Sequence, residues 1–281
     1  MNHYRRLIFM DTEKLSETSR DIRIDIIRSL SKAGSGHLGG SLGMADVFTI
    51  LYFHVLNHRP EEPDWPERDR MVLSAGHIAP VLYATLAHAG YFPKAELMTL
   101  RQLGSRLQGH PGRDHGLPGL ELSAGSLGQG FPVAVGMALA GKMDKRPWKV
   151  YCVAGDGELQ EGSMWEAAMA GGFHKLDNLT LIIDRNGVQI EGHTEDVMDL
   201  EPLTDKWTAF GWHVINCDGH NHTDLIHAFD EVDTIKGRPS VIIATTKMGK
   251  GVRSIEDNYR WHGKPPSKEE TEDFITQIKE S

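Results

Sequence analysis

Asp156 and Asn186 are the residues whose types and spacing point most directly to chemistry. Asp156 lies in Gly155-Asp156-Gly157, at the end of the apolar run 150–154, and Asn186-Gly187 ends a second apolar run, 179–184. Residues 163–174 between them carry the small and apolar side chains of a helix pressed onto a sheet, among them Ala167, Ala168, Gly171 and Gly172. Two buried strands joined by a helix form a right-handed βαβ unit, whose strand ends sit side by side at the carboxyl edge, so both residues face one crevice. A carboxylate and an amide oxygen are hard donors of the kind Mg²⁺ or Ca²⁺ takes, and a Mg²⁺ site commonly adds phosphate oxygens from a ligand. The flanking glycines let backbone N–H groups approach those phosphates. The residues therefore read as a metal–diphosphate site.

Gly155-x-Gly157 between strand and helix also resembles the start of a dinucleotide fingerprint, with Asp184 as its acidic residue. That reading fails at Gln160, where the motif needs glycine, and at Asp156, which would face a pyrophosphate arriving without a metal. An ordinary strand-to-helix turn would account for Gly-Asp-Gly alone, but not for Asn186 at the matching strand end.

Histidines recur in other glycine-containing loops. His37 sits in Gly34-Ser35-Gly36-His37-Leu38-Gly39-Gly40-Ser41, which reads as a loop rather than a packing element, either admitting a ligand to its backbone or serving as a flexible link. His77 ends Ser74-Ala75-Gly76-His77 at a strand-to-helix turn, where such sheets bind ligands. His110 and His115 share the irregular loop 108–118, and His115 reads as solvated. The turn Ser123-Ala124-Gly125-Ser126-Leu127-Gly128-Gln129-Gly130 precedes the helix 131–143, whose small residues suit burial. Lys247-Met248-Gly249-Lys250-Gly251 follows another strand; its lysines suit a phosphate, or simply a solvated turn. Trp261-His262-Gly263 lies in a late loop.

The elements that must position these loops follow from periodicity. Leu15, Ile22, Ile26 and Leu30 mark an amphipathic helix over 15–32, stopped at Gly34. Helices are expected over 44–55, 78–89, 94–103 and 224–232 and from Ser267 onward, with strands at 71–73, 212–217 and 241–246. The alternation predicts an α/β fold: one domain over 1–281, an open, mostly parallel sheet with helices on both faces. With 281 residues, 40% hydrophobic and 25% charged, the chain can bury such a core. Its net charge of -9 argues against nucleic acid or an anionic membrane as partner. No apolar run reaches the roughly 20 residues of a membrane span, and the N-terminal stretch 1–15 has no cleavage site. Cys152 and Cys217 fall in expected strands without metal spacing, as core thiols of a reducing compartment, by default the cytoplasm.

Gly155-Asp156-Gly157 followed by Asn186 resembles the thiamine diphosphate signature, and the wording through Glu158-Leu159-Gln160-Glu161-Gly162 is similar to the transketolase version. Ser35-Gly36-His37, Leu73-Ser74-Ala75-Gly76-His77, Gly109-His110-Pro111, Gly128-Gln129-Gly130 and Trp261-His262-Gly263 occur in that family's order, so the resemblance covers nearly the whole chain. It implies thiamine diphosphate and Mg²⁺ as cofactors, with Asp156, Asn186 and the Val188 carbonyl on the metal. Gly157, His77, Lys247 and His262 would lie near the diphosphate, and Gly125 and Leu127 against the cofactor rings. His37, His77, His110 and His262 would line the channel of a phosphorylated sugar and move protons. Glu161 would couple the cofactor sites across the dimer. Two departures stand out. Leu38 follows His37 where many transketolases have proline, and His-Leu-Gly-Gly-Ser-Leu-Gly also occurs in deoxyxylulose-phosphate synthases. Transketolases also continue into a pyrimidine-binding domain, which supplies the activating glutamate. After 241–246 this chain has only one loop and one helix, too little for a further sheet domain of roughly 100 residues. The expectation is therefore one half of a split transketolase, silent alone and active with a separately encoded partner in an α2β2 assembly. The alternatives are a component of another thiamine enzyme, synthase-like or decarboxylating a 2-oxo acid, and a non-catalytic binding module.

Overall fold

The structure, a computed structural model, describes residues 11–280; residues 1–10, most of the N-terminal stretch expected to carry no cleavage site, lie outside them. Helix α1 (Thr12–Ala33) starts where the Asp11 side chain accepts from the Lys14 N–H and stops at Gly34, whose φ of 64° is left-handed. Its predicted apolar stripe, Leu15, Ile22, Ile26 and Leu30, is fully buried.

The chain then builds α2 (Gly39–Gly43), α3 (Ala45–Ile50), β1 (Arg70–Leu73), α4 (Ala79–His88), α5 (Gly130–Met143), β2 (Val150–Gly155), α6 (Gly162–Phe173) and β3 (Leu179–Arg185). There follow a two-stranded hairpin β4 (Val188–Gln189) and β5 (Gly192–His193), then α7 (Thr194–Val197), α8 (Leu203–Ala209), β6 (His213–Asp218), α9 (His222–Thr234), β7 (Ser240–Thr245) and α10 (Lys268–Glu280). The main sheet has five strands in the order β1-β2-β3-β7-β6, and every neighbouring pair is parallel.

Both faces are covered, which is why its central strands read as continuous apolar runs rather than alternating ones. Tyr151, Val153, Ile182 and Ile242 pack with α1, α3, α4, α9 and α10, whereas Val150, Cys152, Leu181, Ile183 and Val241 pack with α5, α6 and α8. Cys152 and Cys217 are free and buried, as expected of core thiols.

Three expectations change. Residues 94–103 form only a short 3-10 turn, Lys94–Thr99. Helix α5 keeps an outer face, with Val133 and Met143 exposed, so it is buried on one side alone. The glycine-dense loop is itself helical from Gly39, and all five residues of α2 are buried. Its glycines serve close packing: a Cβ on Gly39 would lie 2.6 Å from the Met248 Cγ, and one on Gly43 would lie 2.9 Å from the Lys247 carbonyl oxygen. The turn after β7 is thereby seated on α2, and the Gly249 N–H donates to the Gly39 carbonyl at 2.9 Å.

Because the contact at Gly43 is with backbone, it cannot yield as a flexible side chain would. Gly43→Ala should destabilise the chain by about 1–3 kcal/mol, seen as a lower urea midpoint at unchanged m-value.

Candidate active site

Register places the chemistry. Gly155 pairs with Asp184 across β2 and β3, so Asp156 and Asn186 emerge together at the carboxyl edge. The Asp156 carboxylate is 2% exposed. One oxygen accepts from the Gly157 N–H at 2.7 Å, and the other from the Gly187 N–H at 2.7 Å and Arg185 Nη1 at 3.1 Å. Burial pushes its pKa up, while the Gly187 N–H and the Arg185 guanidinium oppose that shift. Arg185 is itself held by Thr194, Glu195 and Glu201.

Asp184 orients the asparagine. The Asn186 Nδ2 donates to Asp184 Oδ2 at 2.9 Å, which leaves Oδ1 as the acceptor toward the Val188 N–H, also at 2.9 Å. The other Asp184 oxygen accepts from the Thr246 hydroxyl. Burial, reinforced by the Asp156 charge, raises the Asp184 pKa to about 7. The two hard donors are thus preset by a buried polar network reaching β7.

A cavity of about 340 Å³ opens beside them. Asp156, Glu158, Glu161, Asp184 and Glu191 line it together with His37, His77 and His262, and among the described residues no lysine or arginine lines it. Gly125, Leu127, Gly157, Asn186 and Val188 line it too. Five carboxyl groups would repel a bare diphosphate, so an anion entering here needs a cation with it. The oxygen donors of Asp156 and Asn186 fit Mg²⁺, and the open backbone at Gly157 fits a diphosphate.

Glu158 fixes the wall. It is 1% exposed and accepts from the Ser74 hydroxyl at 2.5 Å, the Gly128 N–H at 2.8 Å and the Gly155 N–H at 3.3 Å. One side chain thereby ties the ends of β1 and β2 to the turn before α5. Nothing in the spacing marks Glu158 as different from Glu161, which is exposed at the start of α6 and reaches the cavity edge. Glu158, Arg185 and the orienting role of Asp184 are what the sequence reading missed.

Three imidazoles from separate loops, His37, His77 and His262, line the cavity, and a fourth, His110, packs near His37. The His37 ring centroid lies 5.2 Å from that of His77, 5.6 Å from His262 and 6.2 Å from His110, and His77 stacks on His262 at 5.1 Å. His110 stands one step back, behind Gly125, where a Cβ would be 3.8 Å from the His110 ring. Burial, then the neighbouring His262 and His110 rings and Arg101, push the His37 pKa down to about 4. His77, His110 and His262 are also lowered, burial being the main cause in each. The His37 Nδ1 is buried without a hydrogen-bond partner among the described residues, and a polar ligand group would satisfy it.

Lys247 does not join them. Its side chain is exposed and lies 3.5 Å from Glu256, and its N–H donates to His220 Nε2 at 2.8 Å. The seat of its turn on α2 sends the side chain outward, so the structure gives it no place in the cavity wall. His115 is exposed, as expected of a loop histidine.

An open parallel sheet with an acidic, glycine-relaxed carboxyl edge defines a metal–diphosphate binding domain. Residues 13–279 match the family described as transketolase, thiamine diphosphate binding domain. The chain belongs to the transketolase family, and its cofactor is thiamine diphosphate. It is 43% identical to one of the apulose-4-phosphate transketolase subunits of Phocaeicola vulgatus, covering 96% of each chain. It is 45% identical to the 6-deoxy-6-sulfo-D-fructose transketolase subunit SqwG of a Clostridium species, covering 88% of this chain and 90% of that one. The transketolase of Campylobacter jejuni superposes with a TM-score of 0.89 at 36% identity, over 96% of this chain and 43% of that one. The chain thus spans less than half the length of such transketolases and nearly all of the subunit-type relatives. Among the described residues no helix is long and apolar enough to cross a membrane.

Two outcomes follow from this geometry. Glu158→Ala leaves the Gly128 N–H and the Ser74 hydroxyl without their acceptor and should cost about 1–3 kcal/mol; Glu158→Gln, which keeps one acceptor oxygen, should cost less by urea unfolding. The second concerns acid. An unfolded histidine titrates near 6.5 and folded His37 at about 4, so above pH 6.5 this group adds no pH dependence. As pH falls from 6.5 toward 4 the unfolded state takes up the proton first, and stability is lost. His37→Asn should lessen the acid destabilisation, on the order of 2 kcal/mol at pH 5, in urea unfolding compared at pH 7 and pH 5.

Proposed function

We propose that this chain is the diphosphate-binding subunit of a split transketolase, moving a two-carbon ketol unit between phosphorylated sugars in the cytoplasm. In this reading its partner is a separately encoded subunit carrying the pyrimidine-binding domain, paired with it in an α2β2 assembly. The observation that carries the reading is the convergence of Asp156, Asn186, His37, His77 and His262 on one acidic cavity, with His110 packed edge-on to His37. Near-complete coverage of relatives named as transketolase subunits supports it.

Asp156, Asn186 and the Val188 carbonyl would hold Mg²⁺, with Gly157, His77 and His262 beside the diphosphate and Gly125 and Leu127 against the cofactor rings. When bound, thiamine diphosphate supplies a nucleophilic carbon and an electron sink for carbon–carbon cleavage of a ketose. The protein's own part is binding, orientation and proton transfer. Neutral imidazoles at His37, His110 and His262 offer both a donor and an acceptor nitrogen to sugar hydroxyls. Their lowered pKa values keep them uncharged near neutral pH, ready to take a proton from a hydroxyl at the reacting end. Glu161, exposed at the edge of the cavity, would couple to a partner subunit.

The test is to assay ketol transfer from a ketose phosphate with the chain alone and with its partner. Activity is expected only in the mixture, and His37→Ala and His110→Ala there should lower kcat/KM on the order of a hundredfold with cofactor affinity retained. Full turnover by the isolated chain, or turnover of a 2-oxo acid alone after reconstitution, would overturn the reading.

A further inference from the structure

Arg101 belongs to none of the motifs and lies outside the cavity wall, yet its guanidinium is built into the support of two site histidines. It rests flat against Gly109, where an added Cβ would fall 2.4 Å from Nη2 and 2.6 Å from both Cζ and Nε. On another side it approaches Gly36, where a Cβ would stand 3.7 Å from Nε. Gly36 and Gly109 immediately precede His37 and His110. Nη1 donates to the Ser35 hydroxyl at 3.1 Å, tying the guanidinium to the His37 loop.

The backbone at Arg101 is held in an unusual state. Its φ is 60°, the left-handed region that residues with a side chain seldom occupy. Its N–H donates to the carbonyl of fully buried Leu107 at 2.8 Å, closing the loop that leads to Gly109 and His110. A strained, non-glycine residue fixed on both backbone and side chain is a pointer to function.

We infer that Arg101 is a positioning residue for His37 and His110, one guanidinium holding both ring-bearing loops in register and setting their charge environment. The catalytic side of this inference rests on the reading of the cavity as a ketol-transfer site. Its charge also acts selectively: it opposes protonation of His37 and of His110. For His262 the acting charge besides burial is Glu191, and for His77 it is the three other histidines. The groups facing His37 are thus His77, His110, His262 and Arg101, and those facing His110 are His37, His77 and Arg101. Removing the cation should raise the pKa of these two rings. A ring needed uncharged is lost as pH falls through its pKa, so the acid limb of activity should move to higher pH.

The test pairs two readouts on Arg101→Gln, Arg101→Lys and Gly109→Ala. The last displaces the guanidinium without deleting its charge. Histidine ring titration by NMR in the free full-length chain should show His37 and His110 titrating higher in Arg101→Gln, His262 unmoved, and Arg101→Lys near wild type. In the assembled enzyme, kcat of Arg101→Gln and Gly109→Ala should fall on the order of tenfold to a hundredfold. The acid limb of Arg101→Gln should shift upward and that of Arg101→Lys should stay in place. Unchanged ring titrations, or a lower melting temperature with unaltered kcat and pH profile, would overturn the inference. A wild-type assembly without ketol transfer would overturn the functional reading, leaving the NMR titration to decide the role of Arg101.

Discussion

The buried carboxylate of Asp156 is the constraint on which the rest of the carboxyl edge depends. It takes N–H groups from the turns after β2 and β3 and a guanidinium from the end of β3, so one charge fastens two neighbouring strand ends. Burying a charge is costly unless it is paired and hydrogen-bonded, and here every partner also shapes the site. Gly187 and Gly157 are the turns that open the backbone to a ligand. Arg185 carries the hairpin side of the cavity through Thr194 and Glu195. Asp184, one register position away, fixes the Asn186 amide so that oxygen and nitrogen cannot exchange places without losing a buried bond.

The histidine cluster is the second half of the design and works on the opposite principle. Its four rings come from loops far apart in sequence, seated by close packing at glycines and, for the His37 loop, by the Arg101 guanidinium on Ser35. Gly76 lets the His77 turn approach Ala124, where a Cβ would stand 2.9 Å from its carbonyl carbon. Burial then lowers the pKa values together. An acidic cavity floor and an uncharged imidazole wall suit a ligand that arrives with its own cation and presents hydroxyls to the other side.

Much of this was legible in the sequence, because strand ends are. Continuous apolar runs stopping at Gly-Asp-Gly and Asn-Gly gave β2, β3 and the pair Asp156 and Asn186, and the parallel sheet follows from strand–helix alternation. The helical state of Gly39–Gly43 was not legible, since glycine favours loops locally and only contact with Met248 and Lys247 makes the helix the better packing. Family resemblance alone puts Lys247 beside the diphosphate, whereas its side-chain direction is set by the turn's seat on α2 and by Glu256. Glu158 and Arg101 escaped for a related reason. Both act on groups of distant loops, Glu158 on the Gly128 N–H and Arg101 on the Ser35 hydroxyl, and no spacing within one segment reveals such a bond.

The chemistry of this edge requires that the cavity accept a diphosphate only with a divalent cation on Asp156 and Asn186. Calorimetric titration of thiamine diphosphate into the assembled enzyme, in chelator and in Mg²⁺, tests it most directly. Tight binding is expected with Mg²⁺, binding on the order of a hundredfold or more weaker in chelator, and loss of the Mg²⁺ dependence in Asp156→Ala and Asn186→Ala. Equal affinity with and without the metal, or variants that keep the full Mg²⁺ effect, would contradict it.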